Sequence, residues 1–295
     1  MRTCVIFNPV ANGEKARHFR AQLDSLTAHA SFKKTAAAGD ARRLAAEAVR
    51  EGFEIVVAAG GDGTLNEVLN GLGDADAFER VRLGVLPLGT VNVFARELKI
   101  PLTVEAAWKV VLAARETKLD LPWVEFCQHG APQKLFFAQL AGAGLDARAI
   151  ELVDWQHKKI VGPLAYVLAG IKAVFGAQSP ITVTASGHAL TGELVLIGNG
   201  ARYGGDYRLF PGADFRDGQL DACVFPRVTL WVALGHGLSL LTRGGVRETK
   251  VQRVRTAEFT LTSPQPTPFE VEGELAGHLP ARFGVTREKL RVIVP

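Results

Sequence analysis

The 295-residue sequence predicts two domains, a doubly wound α/β domain at the N-terminus followed by a mostly antiparallel β-sandwich domain. Up to about residue 121, short apolar runs alternate with stretches of helical periodicity, which is typical of a parallel sheet covered by helices. Beyond residue 121, strand-like runs separated by turn residues dominate. We therefore expect domains at residues 1–121 and 122–295, with the boundary near Asp120-Leu121-Pro122.

Each predicted strand of the first domain ends in a loop of small and polar residues. The strands are expected at Arg2–Phe7, at Ser31–Thr35, over the run that starts with Ile55-Val56-Val57, and at Arg82–Leu86. Helices are expected from about Glu14, over Ala41–Glu51 with Asp40 as N-cap, over the apolar positions Leu65–Leu72, and after Asn92. In a doubly wound sheet, ligands bind at the carboxyl ends of the strands. We therefore expect the following loops to share one edge and to form one site: Asn8–Gly13, Thr35–Asp40, Gly60–Thr64 and Leu88–Asn92.

The loop Gly60–Thr64, with the sequence GGDGT, is the most informative stretch of the chain. Three glycines between a strand and a helix allow backbone N–H groups to close around an anion at the helix N-terminus, which favours a polyphosphate ligand. The loop has neither the Walker pattern GxxxxGK[ST] nor the dinucleotide fingerprint GxGxxG, so it predicts neither a P-loop fold nor a dinucleotide crevice. The alternative is that the glycines only make a sharp turn between strand and helix.

Strand-like runs recur throughout the second domain. They are Lys134–Leu140, Ile181–Ala185, Leu194–Ile197, Leu220–Phe225, Glu258–Thr262, Phe269–Glu272 and Leu290–Val294. Two helical stretches, Ile160–Phe175 and Val228–Leu241, interrupt these strands. The first is apolar nearly all round, is too short to span a bilayer and contains Lys172, which favours a core or interfacial helix.

The composition is that of a globular, mildly basic protein, with a net charge of +4 and a pI near 9.0. This balance suits an anionic ligand or an anionic membrane surface, but it does not indicate a dedicated nucleic-acid binder. Three cysteines lie far apart, which predicts neither a disulfide framework nor a zinc site. The chain shows neither a signal peptide nor an apolar stretch of about 18 residues. We therefore expect a cytoplasmic protein whose membrane contact is peripheral.

Several motifs, in this order, resemble the diacylglycerol kinase catalytic-domain family, which includes bacterial YegS-like lipid kinases and the sphingosine and ceramide kinases. They are Asn8-Pro9 with Gly13, GGDGT followed by Asn66-Glu67, Pro87-Leu88-Gly89-Thr90 with Asn92, Phe94-Ala95-Arg96, Pro211-Gly212-Ala213, Asp217-Gly218-Gln219-Leu220-Asp221 and Glu272-Gly273-Glu274. GGDGT alone is shared with phosphofructokinases and NAD kinases, whereas the combination is specific. The resemblance implies an ATP-binding α/β domain like those of phosphofructokinases and NAD kinases, a β-rich lipid-binding domain, and an active site in the cleft between the domains.

The resemblance also implies a reaction and assigns residues to it. The γ-phosphate of ATP would be transferred to a hydroxyl of a membrane lipid with Mg²⁺, with Glu274 as general base and with Asp62 and Asp120 organising the catalytic metal. The implied ATP site consists of Asn8, Pro9, Val10, Ala11, Asn12, Thr35, Gly60, Gly61, Asp62, Gly63, Thr64, Leu65, Asn66, Glu67 and Thr90. Asp214, Asp217 and the backbone carbonyl of Gln219 would hold a structural magnesium. Arg96 is the preferred candidate for a contact with the lipid head group or the phosphates.

Two positions depart from the family pattern. Glu272 stands where the family usually has Asp, and Val93 stands where Asp is common after Asn92. The acceptor is left open among diacylglycerol, phosphatidylglycerol and a sphingoid base, and a homodimer is left open as well. The alternative functions are an NAD kinase and a non-catalytic regulatory protein that binds nucleotide and lipid.

Overall fold

The computed structural model describes residues 1–9, 30–152, 179–228 and 251–295. The chain divides into two compact units. The first comprises Met1–Leu121, Phe136–Ala138 and Thr286–Pro295, and the second comprises Pro122–Leu135 and Gln139–Val285. The predicted helices from about Glu14, over Ile160–Phe175 and over Val228–Leu241 lie outside the described residues, apart from Val228 itself.

The first unit is built on a parallel sheet with helices between the strands. Its strands are β1 (Thr3–Phe7), β2 (Ser31–Lys34), β3 (Ile55–Gly60) and β4 (Arg82–Pro87), and its described helices are α1 (Asp40–Arg50), α2 (Asp62–Asp74), α3 (Val93–Glu97) and α4 (Val104–Ala113). The strand order is β2-β1-β3-β4, and all neighbours in it are parallel. Every residue of β3 is buried, which is why this strand reads as a continuous apolar run.

The strand order places a topological switch point between β1 and β3. From β1 the chain moves outward to β2, and it then returns to the other side of β1 to form β3 and β4. At such a point the connections leave in opposite directions, so that a crevice opens outside the carboxyl ends of the two central strands. Asn8 follows β1 and Gly61 follows β3, so both residues lie at this point.

The helices α1 and α2 pack closely because Gly71 has no side chain. A Cβ atom at Gly71 would lie 2.2 Å from the backbone oxygen of Arg42 and 2.7 Å from Cβ of Ala45. Beside this contact, Nε of Arg42 donates to Oδ2 of Asp74 at 2.6 Å. The glycine thus sets the distance between the helix that follows β2 and the helix that follows β3.

The second unit is made of antiparallel strands. These are β5 (Glu116–Gln128), which begins in the first unit, β6 (Ala131–Phe136), β7 (Leu140–Gly144), β8 (Ile181–Ala185), β9 (His188–Gly192), β10 (Leu194–Gly198), β11 (Arg202–Tyr203), β12 (Tyr207–Arg208), β13 (Leu220–Phe225), β14 (Gln252–Thr256), β15 (Glu258–Thr262), β16 (Pro268–Val271), β17 (Glu274–His278) and β18 (Ala281–Ile293). One helix, α5 (Leu145–Leu152), follows β7. One sheet has the order β14-β13-β10-β7-β16-β17, and the other contains β9-β8-β15-β18.

Phenylalanines from both sheets form the core of the second unit. The ring of Phe269 on β16 lies edge-on to Phe126 on β5, with centroids 5.0 Å apart, and to Phe283 on β18, with centroids 5.8 Å apart. Phe283 in turn stacks on Phe259 of β15. The predicted fold class, an α/β domain followed by a β-sandwich, is confirmed.

The predicted strand Lys134–Leu140 is in fact two strands, β6 and β7, with a break over residues 137–139. The break has a specific cause in the first unit, where the side chain of Asn70 replaces a strand partner. Its Nδ2 donates to the backbone oxygen of Phe136, and its Oδ1 accepts the backbone N–H of Phe136, both at 2.9 Å. A buried amide that bonds a backbone in this way gives no periodic signal in the sequence.

We predict that Gly71→Ala destabilises the first unit. The added methyl group would clash with a backbone oxygen, which cannot rotate away, so the two helices must separate at a cost of about 1–3 kcal/mol. Thermal unfolding followed by circular dichroism should show a lower Tm for this variant. Gly212→Ala is the control, because its Cβ would meet nothing closer than 3.8 Å. An unchanged Tm for Gly71→Ala would contradict the close packing of α1 and α2.

Candidate functional site

The loops that follow the parallel strands continue the hydrogen-bond ladder of the sheet. The backbone N–H of Asn8 donates to Ala59, that of Thr35 donates to Phe7 at the same 3.0 Å, and that of Leu88 donates to Gly60 at 2.9 Å. Each loop is therefore fixed to the strand beside it before it leaves the sheet. The described residues of all four loops therefore lie at one edge of the sheet, as predicted.

Two of these loops touch through glycines. A Cβ at Gly89 would lie 2.5 Å from Cα of Gly61, so a side chain at this position would push the loops apart. The loop after β4 is held in shape by Asn92, whose Oδ1 accepts the N–H of Gly89 at 2.9 Å and whose Nδ2 donates to the oxygen of Gly89 at 2.8 Å. Asn92 has a positive φ of 54°, a conformation that Asn tolerates better than most residues.

The N-terminus of α2 lies at the switch point and suits an anion. Because the N-cap residue is Gly61, no N-cap side chain covers the backbone N–H groups of the first turn. These groups and the helix dipole attract phosphate oxygens. The neighbouring loop contributes a polar contact, since Nδ2 of Asn8 donates to Oγ1 of Thr64 at 3.1 Å.

Asp62, the first residue of α2, connects the glycine loop to the segment after β4. Burial raises the pKa of its carboxyl, while hydrogen bonds from the backbone N–H groups of Val93, Phe94 and Asn92 act in the opposite direction. The carboxylate therefore accepts from the start of α3. Position 93 contributes through its backbone, so the replacement of the family's Asp by Val leaves this contact intact.

Glu67 performs a similar task on the other side of the site. Its Oε1 accepts the N–H of Gly39 and its Oε2 accepts the N–H of Ala41, both at 2.9 Å. One carboxylate on α2 thus holds the N-terminus of α1 and the loop that begins with the buried Thr35. The sequence placed Glu67 at the implied ATP site, and in the structure its carboxylate fixes the loop after β2.

Asp120 on β5 has its carboxylate paired with a lysine. Its side chain is fully buried, and Oδ1 contacts Nζ of Lys289 on β18. Both residues belong to the first unit. A buried carboxylate needs a partner of opposite charge, and here the chain itself supplies one.

Glu274 follows a tight turn in the second unit. The hairpin between β16 and β17 turns at Glu272 and Gly273, whose φ values of 53° and 82° are those of a type I′ turn. Glu274 lies on the exposed side of this turn. Oε1 of Glu272 accepts the backbone N–H of Gln139 at 2.6 Å, so the longer side chain that replaces the family's Asp is anchored to the backbone before β7.

The predicted ligands of a structural magnesium lie in the loop before β13, where other groups of the chain already engage their carboxylates. Oδ1 of Asp217 accepts the N–H of Gln219 at 2.9 Å, while Oδ2 is paired with Nη2 of Arg255. Oδ1 of Asp214 accepts the N–H of Arg216 at 3.1 Å. Within the described ranges, no group of three His, Cys, Asp or Glu side chains has a geometry that could hold a metal. The predicted set of two carboxylates and the backbone carbonyl of Gln219 is not such a group, and this assignment stays a prediction.

The structure groups some of the predicted site residues and leaves others apart. In the first unit it brings together the described parts of the implied ATP site, namely Asn8, Pro9, Thr35, Gly60–Glu67 and Thr90. Val10, Ala11 and Asn12 lie outside the described residues. Arg96 lies on α3, where its Nε donates to the backbone oxygen of Val91 at 2.7 Å. The predicted cleft between the domains stays a prediction.

Sequence reasoning missed four side chains that act on these sites. Lys289 and Arg255 were missed because a single cation in a strand has no partner that spacing alone can identify. Asp146 and Glu270, which lie near the turn before Glu274, were missed because they are far apart in the chain. The only available signal was an acidic residue inside an otherwise apolar strand, Phe269–Val271, where a charge needs an explanation.

The fold and the loop edge define a class of protein: an α/β unit whose loop edge suits a phosphate, and a β-sandwich unit. Known proteins share this organisation. The sequence profile of the diacylglycerol kinase catalytic domain matches residues 2–124, and that of the YegS C-terminal NAD kinase β-sandwich-like domain matches residues 139–294. The crystal structure of a diacylglycerol kinase from Bacillus anthracis str. Sterne has a TM-score of 0.76 at 21% identity, and the match covers 100% of this chain and 97% of that one.

Curated relatives agree over the whole length. The diacylglycerol kinase of Staphylococcus carnosus (strain TM300) is 29% identical over 302 residues, which cover 100% of this chain and 95% of that protein. The diacylglycerol kinase of Staphylococcus aureus (strain MRSA252) is 30% identical over 302 residues, which cover 100% of this chain and 92% of that protein. The chain belongs to the diacylglycerol kinase family.

We predict that the loop around Asp217 is stable without a divalent cation because Arg255 already neutralises it. The Tm of the wild-type protein should be the same in excess EDTA and in Mg²⁺. Arg255→Gln removes the cation from Asp217, so this variant should be stabilised by Mg²⁺ relative to EDTA. Arg208→Gln, an exposed arginine elsewhere in the second unit, is the matched control. A wild-type Tm that falls in EDTA and recovers with Mg²⁺ would instead support the predicted magnesium ligands.

Proposed function

We propose that the protein transfers the γ-phosphate of ATP to a hydroxyl group of a membrane lipid. One observation carries the proposal: the N-terminus of α2 lies at the switch point of a parallel sheet, and glycines bring the neighbouring loop close to it. Phosphoryl transfer needs positioning and charge neutralisation more than covalent chemistry, and such an edge offers both to a triphosphate. The family membership makes the lipid hydroxyl the expected acceptor.

In this proposal, the first unit binds the nucleotide. The N–H groups at the start of α2 donate hydrogen bonds to the phosphate oxygens, Asn8 and Thr64 supply polar side chains, and Asp62 keeps the two glycine loops together. Asp62 and Asp120 are the residues proposed to organise a magnesium ion, which would supply positive charge to the phosphate oxygens. The residues of the chain hold the phosphate groups, fix the loops and limit their motion, which lowers the entropy cost of reaching the transition state.

Glu274 is proposed as the general base. Its carboxylate would accept the proton of the lipid hydroxyl as the oxygen attacks the phosphorus. The type I′ turn that precedes it has few alternative conformations, and the side chain of Glu272 ties this turn to Gln139. A base held on such a turn is positioned before the substrate arrives.

The lipid is proposed to reach the protein at the surface of a bilayer. Within the described residues, no helix has the length and apolar character needed to cross a membrane. A net charge of +4 favours an anionic surface, where each nearby cation contributes about 1 kcal/mol. Arg96 is the proposed contact for a head group or phosphate. A cytoplasmic location with peripheral membrane binding is part of this proposal, and a homodimer stays a prediction.

We predict that Glu274→Gln lowers kcat by about 100-fold or more because general-base catalysis is lost. The assay incubates γ-labelled ATP with mixed micelles that contain diacylglycerol, phosphatidylglycerol or a sphingoid base, or with NAD, and separates the products by thin-layer chromatography. Glu258→Gln, the same change at an exposed position of the second unit, should keep the wild-type rate. Lipid turnover by Glu274→Gln at the wild-type rate would refute the assignment of the base. Product formed from NAD alone would select the NAD kinase alternative, and absence of any product would select the regulatory one.

We also predict that Asp62→Ala weakens ATP binding by about tenfold or more. The substitution removes an acceptor of several backbone N–H groups, each such charged hydrogen bond being worth about 1.5–3 kcal/mol, so the loop after β4 loses its attachment. Calorimetry with a non-hydrolysable ATP analogue gives the Kd directly. Asp74→Ala, at the opposite end of the same helix, is the matched control. Equal affinities for the wild type and Asp62→Ala would contradict the proposed role.

A further inference from the structure

Two carboxylate oxygens face Gly142, near the turn that precedes Glu274. Glu270 on β16 has no exposed surface, whereas Asp146 in the first turn of α5 is partly exposed. Between them lies Gly142 on β7, which is the direct strand partner of Glu270. A Cβ at Gly142 would lie 2.8 Å from both Oε1 of Glu270 and Oδ2 of Asp146. The absence of a side chain at Gly142 is therefore what allows the two oxygens to face the same point.

One carboxylate oxygen of Glu270 has no hydrogen-bond partner in the described part of the chain. Oε2 of Glu270 accepts the backbone N–H of Gly273 at 2.6 Å. Oδ2 of Asp146 accepts the hydroxyl of Tyr203 at 2.9 Å. Among the described residues, Oε1 of Glu270 has no hydrogen-bond partner although it is buried. A fully buried acceptor without a donor costs free energy unless it carries a proton of its own.

Among the described residues, the charges that shift the pKa values of this pair and of Tyr203 are carboxylates. Glu270 is influenced by the carboxyls of Asp146 and Glu272, and Tyr203 by those of Asp146 and Glu270. Burial raises the pKa of Glu270 well above its ordinary value, and the charge of Asp146 raises it further. Burial also raises the pKa of Asp146, while the hydroxyl of Tyr203 opposes that rise. Two such carboxyls cannot both ionise without strong repulsion, which favours one proton shared between them.

We propose that Glu270 is a positioning residue for Glu274: it keeps a proton on Oε1, donates it to Oδ2 of Asp146, and through Oε2 fixes the backbone of Gly273. This arrangement gives every polar atom of Glu270 a partner. It also ties the turn that carries Glu274 to the helix α5 through the chain Gly273, Glu270 and Asp146. The inference rests on the proposed function, because positioning matters only if Glu274 is the base.

The shared proton makes the turn sensitive to pH, and the sign follows from the direction of the shift. The pKa of Glu270 is raised in the folded protein above the ordinary value of 4.5. The stability that the protonated form contributes is therefore complete below pH 4.5 and is lost as the pH rises toward the pKa in the folded state. Loss of the proton puts two negative charges near the turn and loosens it.

The first experiment tests the shared proton without any assay of activity. Glu270→Gln has the same shape, donates to Asp146 through its amide and cannot titrate. The infrared carbonyl band of a protonated carboxylic acid should be present in the wild type at pH 7 and be lost in Glu270→Gln. As the pH rises, the Tm of the wild type should fall relative to the Tm of Glu270→Gln. Identical infrared spectra, or Tm curves that run parallel from pH 5 to 9, would overturn the shared proton.

The second experiment tests positioning. Glu270→Met fills a similar volume but offers Gly273 no acceptor, so kcat for lipid phosphorylation should fall about tenfold or more while the KM for ATP is unchanged. Glu270→Gln should keep kcat within about twofold at pH 7 and flatten the decline of kcat at high pH. Wild-type kcat in Glu270→Met, or an equal loss in both variants, would overturn the positioning role. If the wild type phosphorylates no lipid, the proposed function fails and positioning fails with it, while the first experiment still decides whether the proton is shared.

Discussion

The parallel pairing of β1 with β3 is the constraint on which the phosphate-binding edge depends. It places the ends of two strands side by side at the point where the chain reverses its direction across the sheet. Other groups at this edge refine that placement. Gly61 and Gly89 permit the loops after β3 and β4 to touch, Asp62 holds the segment after β4, and Glu67 holds the loop after β2. The glycines supply space and the carboxylates supply attachment, so the anion site is built almost entirely from backbone groups.

Carboxylates in this protein are matched to partners in three different ways. Asp120 and Asp217 are paired with the basic side chains of Lys289 and Arg255. Three other carboxylates accept backbone N–H groups instead and so fix loops without a basic side chain; they are Asp62, Glu67 and Glu272. Glu270 has neither a cation nor a second donor among the described residues, which leaves a proton as the means to satisfy it. The same side-chain type thus serves as an ion-pair partner, a loop anchor or a neutral acid according to its surroundings.

The fold and the loops that share one edge of the parallel sheet could be predicted because their signals are local. The continuous apolar run of β3 followed by glycines predicts strand, loop and helix within twenty residues or so. The bounds of β8, β13 and β15 agree with the sequence for the same reason, since alternation along a strand needs no knowledge of its neighbours. What escaped prediction depends on pairs distant in sequence: Asn70 bonds the end of a strand more than sixty residues away, and Asp146 and Glu270 both face Gly142. Such contacts follow from the register of the sheets, which the local pattern does not determine.

The return of the last residues to the first unit has a consequence for any attempt to dissect the chain. A fragment that ends at residue 121 contains the whole phosphate-binding edge, yet it lacks Phe136, the backbone partner of Asn70, and the strand end that lies beside β4. It also lacks Lys289, so the fully buried carboxylate of Asp120 would be left without its counterion. Removing one partner of a buried ion pair is strongly destabilising. The first unit is thus built from separate segments of the chain, and it becomes complete only when β18 has been synthesised.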